Sequence, residues 1–211
     1  MALKILFTSD FHASEELKEA AIKEANNGDY DLFINLGDFM DMEFAEDLMA
    51  KIDIPAIGCT GNRDMFFDNE FLDDESVPVY NFLDADIDGG EYKVILIGGD
   101  FPENVKNEVR EVLEDYEGDS SKVIIGSHYP PHRLNDKIHS GKRIGFKEFR
   151  EIIMREKPSL WVHGHVHEDF GKDSLMDTTV LNAAADETGK AWSVTIGDDG
   201  GVESYEEVQL V

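Results

Sequence analysis

The amino-acid sequence predicts an α/β protein built on mixed β-sheets, and three observations carry that expectation. Five short runs rich in Val, Ile, Leu and Phe are each followed by a small cluster of Asp, Asn or His. Segments with helical apolar spacing lie between these runs. Two further pairs of segments flank Asp/Gly turns, as hairpins do.

Taken in order, the run Leu3–Phe7 leads to Asp10 and His12. Ser14 then caps an expected helix with Glu15 and Glu16 in its first turn. Leu17, Ala20, Ala21 and Ala25 form its apolar face, and Asn27-Gly28 stops it. Leu32–Leu36 leads to Gly37 and Asp38, and Phe44, Leu48 and Met49 mark a second helix. Ile54–Ile57 leads to Gly61, Asn62, Arg63 and Asp64, after which Asp68–Pro78 reads as a loop beside the site. Val79–Leu83 and Tyr92–Ile97 flank Asp88-Gly89-Gly90 and predict a hairpin. Val105, Val109, Val112, Leu113 and Tyr116 predict a third helix, entered through Pro102. Val123–Ile125 leads to Ser127 and His128. Phe146, Phe149, Ile152 and Ile153 predict a fourth helix, ended by Pro158. Leu160–Val162 leads to His163, His165 and His167, and Trp192–Ile196 with Val202–Val208 predict a last hairpin around Asp198–Gly201. In such sheets ligands gather outside the carboxyl ends of the strands. Five ends delivering oxygen and nitrogen donors to one crevice predict a metal site, with two metals expected.

Composition narrows the setting. A chain of 211 residues predicts one domain, 1–211, able to bury its own core. No stretch has transmembrane length, and Met1–Phe7 is too short for a signal peptide. Cys59, alone, excludes an internal disulfide and a Cys-cluster metal site, so a soluble, cytoplasmic protein is expected. The chain carries 46 acidic and 19 basic residues, net −27, spread along its length as on a solvated acidic surface. Such a surface repels polyanions, which disfavours nucleic acid and favours a small substrate; membrane binding is not expected and oligomeric state is left open. Cations in the cleft would reverse the sign locally, so a phosphate substrate stays compatible.

The motif series Asp10-x-His12, Gly37-Asp38, Gly61-Asn62-Arg63-Asp64, Gly126-Ser127-His128 and Gly164-His165-x-His167 resembles the calcineurin-like metallophosphoesterases from Asp10 to His167. Each piece alone is weak; all five in order, each after a predicted strand, are specific. The resemblance implies a four-layer αββα sandwich, two mixed sheets flanked by helices. It implies that Asp10, His12 and His167 hold one metal, that Asn62, His128 and His165 hold the other, and that Asp38 bridges them. Carboxylate, amide and imidazole donors suit two divalent ions, Mn foremost, with Fe, Zn, Co or Ni also compatible. The implied function is metal-dependent hydrolysis of a small phosphoester, as a phosphodiesterase or phosphatase, by a metal-bridging hydroxide. Two alternatives stand beside it: a weak or inactive interaction module of the same fold, and a pyrophosphate hydrolase acting on a nucleotide-linked substrate.

Arg63, Asp64, Asn62 and His128 are the expected catalytic residues. Many family members have His where this chain has Arg63, and Arg cannot donate its proton at working pH. It can clamp a phosphate oxygen and stabilise transition-state charge, which favours good leaving groups. Asp64 is read either as an ion-pair partner of Arg63 or as a loop-capping carboxylate. His163 is expected to be a buried hydrogen-bonding residue behind the ligands. His132 and His139, with Arg133, Lys137, Lys142 and Arg143, form the most basic stretch, either an ordinary exposed loop or a recruiter of substrate charge. Asp84-x-Asp86-x-Asp88-Gly89 resembles the start of an EF-hand loop but has Ile95 in the twelfth position, so a hairpin turn is the better reading.

Overall fold

Alternation along the strands decides the layering. In β1 (Leu3–Thr8), Ile5 and Phe7 enter one apolar cluster and Leu6 enters another, so both faces of the strand are covered. The computed structural model describes residues 2–74, 76–101 and 103–211. Its first sheet contains β1, β2 (Leu32–Asn35), β3 (Ala56–Cys59), β4 (Val79–Tyr80), β11 (Lys190–Ile196) and β12 (Val202–Gln209), in the order β12-β11-β1-β2-β3-β4. Strands β1 to β4 run parallel, and β11 and β12 continue the sheet antiparallel. The second sheet contains β5 (Phe82–Ile87), β6 (Tyr92–Ile97), β7 (Val123–Ser127), β8 (Leu160–His163), β9 (Gly171–Leu175) and β10 (Thr178–Asn182), in the order β5-β6-β7-β8-β10-β9. Its four central strands are parallel and its two edges antiparallel.

The inner faces meet in a shared cluster, where Ile5, Phe7, Ile34 and Leu36 pack with Val94, Leu96, Ile124, Val162 and Leu181. Burial at ~1.5–3 kcal/mol per such side chain holds the sheets together. Helices α1 (Glu15–Asn27) and α2 (Met42–Ala50) cover the outer face of the first sheet through Leu17, Ala21, Ala25, Phe44 and Leu48. A short helix, α3 (Asn69–Leu72), follows β3 and is capped by Asp68. Helices α4 (Val105–Asp115) and α5 (Lys147–Glu156) cover the second sheet through Val105, Val109, Phe149, Ile152 and Ile153. The result is the four-layer αββα sandwich. Ser14 caps α1 by accepting the N–H of Leu17, and Lys157, left-handed at φ 52°, ends α5 just before Pro158. Trp161 and Trp192 lie in the core, and Cys59 is a buried free thiol.

Three details differ from the sequence expectation. The run Val79–Leu83 is not one hairpin arm: β4 pairs with β3 in the first sheet, while β5 pairs with β6 in the second. The chain changes sheets at Asn81, the one polar residue in the run, which apolar spacing alone does not mark as a break. The stretch Asp68–Pro78, expected as loop, carries α3. Strands β9 and β10 lie outside the expectation, because β9 (GKDSL) is an edge strand that alternates between exposed and half-buried positions. Pro102, the expected entry to α4, lies outside the described residues. No helix among the described residues is long and apolar enough to cross a membrane.

Candidate metal centre

Loops leaving β1, β2, β3, β7 and β8 at their carboxyl ends bring all seven expected ligands together. Backbone bonds stitch these loops side by side. Asp10 N–H donates to the Gly37 carbonyl (2.9 Å), His12 N–H to that of Asp38 (3.0 Å), and Gly164 N–H to that of His128 (3.1 Å). Asp10, His12, Asp38 and His165 all have positive φ, between 49° and 68°. Left-handed backbone is uncommon outside glycine, although Asp and His tolerate it better than most, and such conformations concentrate where function holds them.

Close approach explains two glycines. A Cβ at Gly61 would stand 2.1 Å from Asp38 Oδ1, and one at Gly164 would stand 2.3 Å from Asp10 Oδ2. Neither carboxylate could keep its place beside a larger residue.

The donors form two groups. In the first, Asp10 Oδ1 lies 3.2 Å from His167 Nε2 and 3.9 Å from His12 Nε2. In the second, His128 Nδ1–H donates to the Leu36 carbonyl (2.9 Å), so its Nε2 carries a lone pair. That lone pair faces Asn62 Oδ1 (2.8 Å), His165 Nδ1 (3.2 Å) and Asp38 Oδ1 (3.6 Å). Asp38 joins the groups, since its Oδ2 is 3.2 Å from His12 Nε2. Asp10, Asp38 and His128 are buried. Two sets of three His/Asp donors, Asp10-His12-His167 and Asp10-Asp38-His128, each converge closely enough to hold one ion. Buried carboxylates facing imidazole lone pairs are an arrangement that cations complete, so the residues fit a divalent metal.

Electrostatics agrees with that fit. In the metal-free protein, ion-pairing with Asp186 and Asp38 pushes His12 up to about 9. Burial opposes a charge on His167, but Asp10 and Asp186 outweigh it and push that residue up to about 10. Protons therefore stand where positive charge is wanted. Burial, reinforced by neighbouring His128, pushes His165 down to about 4, leaving a neutral donor.

The remaining expected residues are placed as follows. Arg63 is half-exposed at the rim, its backbone N–H donating to Asp38 Oδ1 (2.8 Å) and its Nε 3.7 Å from Asp38 Oδ2. Asp64 is buried and accepts backbone N–H groups from Gly61 (2.7 Å), Asp38 (2.8 Å), Met40 (2.8 Å) and Phe39 (3.3 Å). It is a loop-capping carboxylate tying the β2 and β3 loops. His163 is buried behind the ligands, Nδ1–H donating to the Gly164 carbonyl (2.9 Å). The basic loop after β7 is folded around buried Asp136, which accepts from Arg143 Nη1 (2.6 Å) and the Arg133 N–H (2.8 Å). Lys137 N–H donates to Asp169 (2.9 Å), fastening that loop to the segment that carries His167.

One residue of the centre lies outside the sequence reading. Asp186, after β10, places Oδ2 2.8 Å from His167 Nδ1 and 3.3 Å from His12 Nδ1. It belongs to none of the motifs, and its only signal is a position after a strand that the apolar pattern does not mark.

Comparisons with known proteins bear on this centre. The family model for calcineurin-like phosphoesterases matches residues 3–169, from β1 through His167. A curated UPF0046 protein of Caenorhabditis elegans is 26% identical, over 86% of this chain and 69% of its own length. A crystal structure from Thermus thermophilus superimposes with a TM-score of 0.74 at 15% identity, covering 100% of both chains. A structure described as a novel archaeal phosphodiesterase superimposes with a TM-score of 0.58 at 17% identity, covering 98% of this chain and 99% of its own. At these identities the structural likeness speaks for the fold.

Proposed function

Because the chain belongs to the calcineurin-like phosphoesterase family, whose members are metal-dependent, we propose that it hydrolyses a small phosphoester, a diester or a nucleotide-type monoester, at a site for two divalent ions. The observation that carries this reading is Asp38, one of whose carboxylate oxygens faces His12 (3.2 Å) and the other His128 (3.6 Å). Asp10, His12 and His167 would hold one ion, and Asn62, His128 and His165 the other, with Asp38 between. Manganese is the first expectation, since the donor set lacks thiolate. Bound there, the ions would generate a nucleophile from water near neutral pH and neutralise phosphate charge.

The chain's own groups supply the rest. The Arg63 guanidinium, half-exposed beside Asp38, is placed to clamp a non-bridging phosphate oxygen and to balance charge as the transition state forms. Its inability to release a proton leaves the departing group dependent on water or on its own stability. Substrates with good leaving groups are therefore preferred. Asp64 keeps the Asp38 and Asn62 loops in register, acting through their backbone and not on substrate. The archaeal structural neighbour's description as a phosphodiesterase agrees with placing diesters first.

The test is hydrolysis of a nitrophenyl diester and monoester with Mn²⁺, by the wild type and by Asp38→Ala and His128→Ala. Loss of metal-dependent turnover in both variants is expected; undiminished activity in both would refute the mechanism.

A further inference from the structure

The two ligand groups are not backed alike. In the first, a single oxygen of Asp186 receives both outward imidazole nitrogens, His167 Nδ1 at 2.8 Å and His12 Nδ1 at 3.3 Å. This leaves the two Nε2 atoms facing Asp10, with the rings 4.8 Å apart and inclined at 61°. In the second group, the outward nitrogen of His128 meets a neutral backbone carbonyl, that of Leu36. His165 turns its Nδ1 towards His128 Nε2, 3.2 Å away.

The origin of Asp186 adds to the contrast. His12 leaves β1 of the first sheet, and His167 follows β8 of the second. Asp186 lies on the segment from β10 to β11, where the chain returns from the second sheet to the first. That segment is pinned beside Asp10 by the Ala185 N–H donating to the Ser9 carbonyl (3.0 Å). The other oxygen of Asp186 is buried and has no hydrogen-bond partner among the described residues. Its side chain therefore has the two histidines as its purpose, since no helix cap, turn or ion pair with Lys or Arg among the described residues uses it.

From this asymmetry we infer that Asp186 is a positioning residue that makes the Asp10-His12-His167 site the tighter of the two and the first to fill. A carboxylate on the far nitrogen fixes the tautomer, orients the ring and raises donor strength. Removing such a partner from a metal-bound imidazole costs ~10–100-fold in affinity. Here one carboxylate serves two ligands at once, while the second site rests on a neutral carbonyl. The inference assumes the seven-ligand reading above and adds an order of loading to it.

Calorimetric titration of Zn²⁺ into the chelator-stripped full chain tests this at alkaline pH, where protons compete least. The wild type should show two binding steps. Asp186→Ala should weaken the tighter step ~10–100-fold and leave the weaker step in place. Asp186→Asn, which keeps shape and one acceptor but not charge, should fall between. In parallel, imidazole ¹⁵N shifts should move at His12 and His167 before His128 and His165 as Zn²⁺ is added. Equal weakening of both steps, an unchanged tighter step in both variants, or earlier movement of His128 and His165 would overturn the inference. A wild type that binds no Zn²⁺ would overturn the ligand reading, and this inference with it.

Discussion

Asp64 Oδ2 accepts the backbone N–H of Asp38 at 2.8 Å, and the same carboxylate accepts three further amides from the loops after β2 and β3. The acidic neighbour of Arg63 thus serves the backbone beneath Asp38. Burial pushes its carboxyl above the ordinary range, against the pull of those amides. Removing it strands several buried donors at ~1–3 kcal/mol each. Asp64→Ala should lower unfolding free energy by about 3 kcal/mol or more in urea denaturation, with metal affinity falling too. A variant of wild-type stability would show that water replaces the carboxylate freely.

Arg63 should matter through charge and not through proton transfer. Arg63→Ala should lower kcat for a nitrophenyl diester about 10²-fold, the scale for losing one transition-state donor. Arg63→His should restore part of this and flatten the dependence of rate on leaving-group pKa, since imidazole can donate a proton. Rates across a series of substituted phenyl esters measure both effects. Equal slopes for the wild type and Arg63→His would contradict the role given to Arg63.

Gly61 offers a steric test of Asp38. A methyl at Gly61 would stand 2.1 Å from Asp38 Oδ1 and must displace it. The same methyl would stand 2.2 Å from the Asp38 backbone nitrogen, so Gly61→Ala should shift this loop, lower stability, lose metal in elemental analysis and lose most turnover. Full metal content in this variant would mean that Asp38 is not required between the ions.

Stability of the metal-free protein should fall with rising pH. His12 and His167 titrate at about 9 and about 10 when folded, against 6.5 unfolded, so the folded state holds extra protons. The stabilisation is complete below pH 6.5 and is lost as pH rises through about 9 to 10. A bound cation needs those imidazoles neutral, so metal should remove this decline. Urea midpoints of stripped and Mn²⁺-loaded protein across that range make the comparison. Parallel curves would contradict it.

The convergence of these donors was legible in the sequence because most of them sit where apolar runs stop. Asp10, Asp38, His128 and His165 follow strands whose buried faces force a mostly apolar pattern, whereas Asn62 follows β3 (AIGC), a short and only partly buried strand. The helices were legible for the same reason, their apolar spacing matching the outer clusters. What stayed hidden lacked such a pattern. Lys172, Asp173 and Ser174 on edge strand β9 look like loop. In the Val79–Leu83 run only the lone polar Asn81 marks where the chain leaves one sheet for the other, too little to split a hairpin arm. Asp186 is close to His12 only through a fold that joins positions 174 residues apart. For Asp64 the sequence left an ion pair with Arg63 and a loop cap side by side, and only the fold, which brings the amides of Asp38 and Met40 to its carboxylate, decides for the cap.

Anomalous diffraction from crystals grown with Mn²⁺ tests the central claim most directly. Two peaks are expected on either side of the Asp38 carboxylate, one among Asp10, His12 and His167, the other among Asn62, His128 and His165. A lone peak, or peaks away from Asp38, would contradict it.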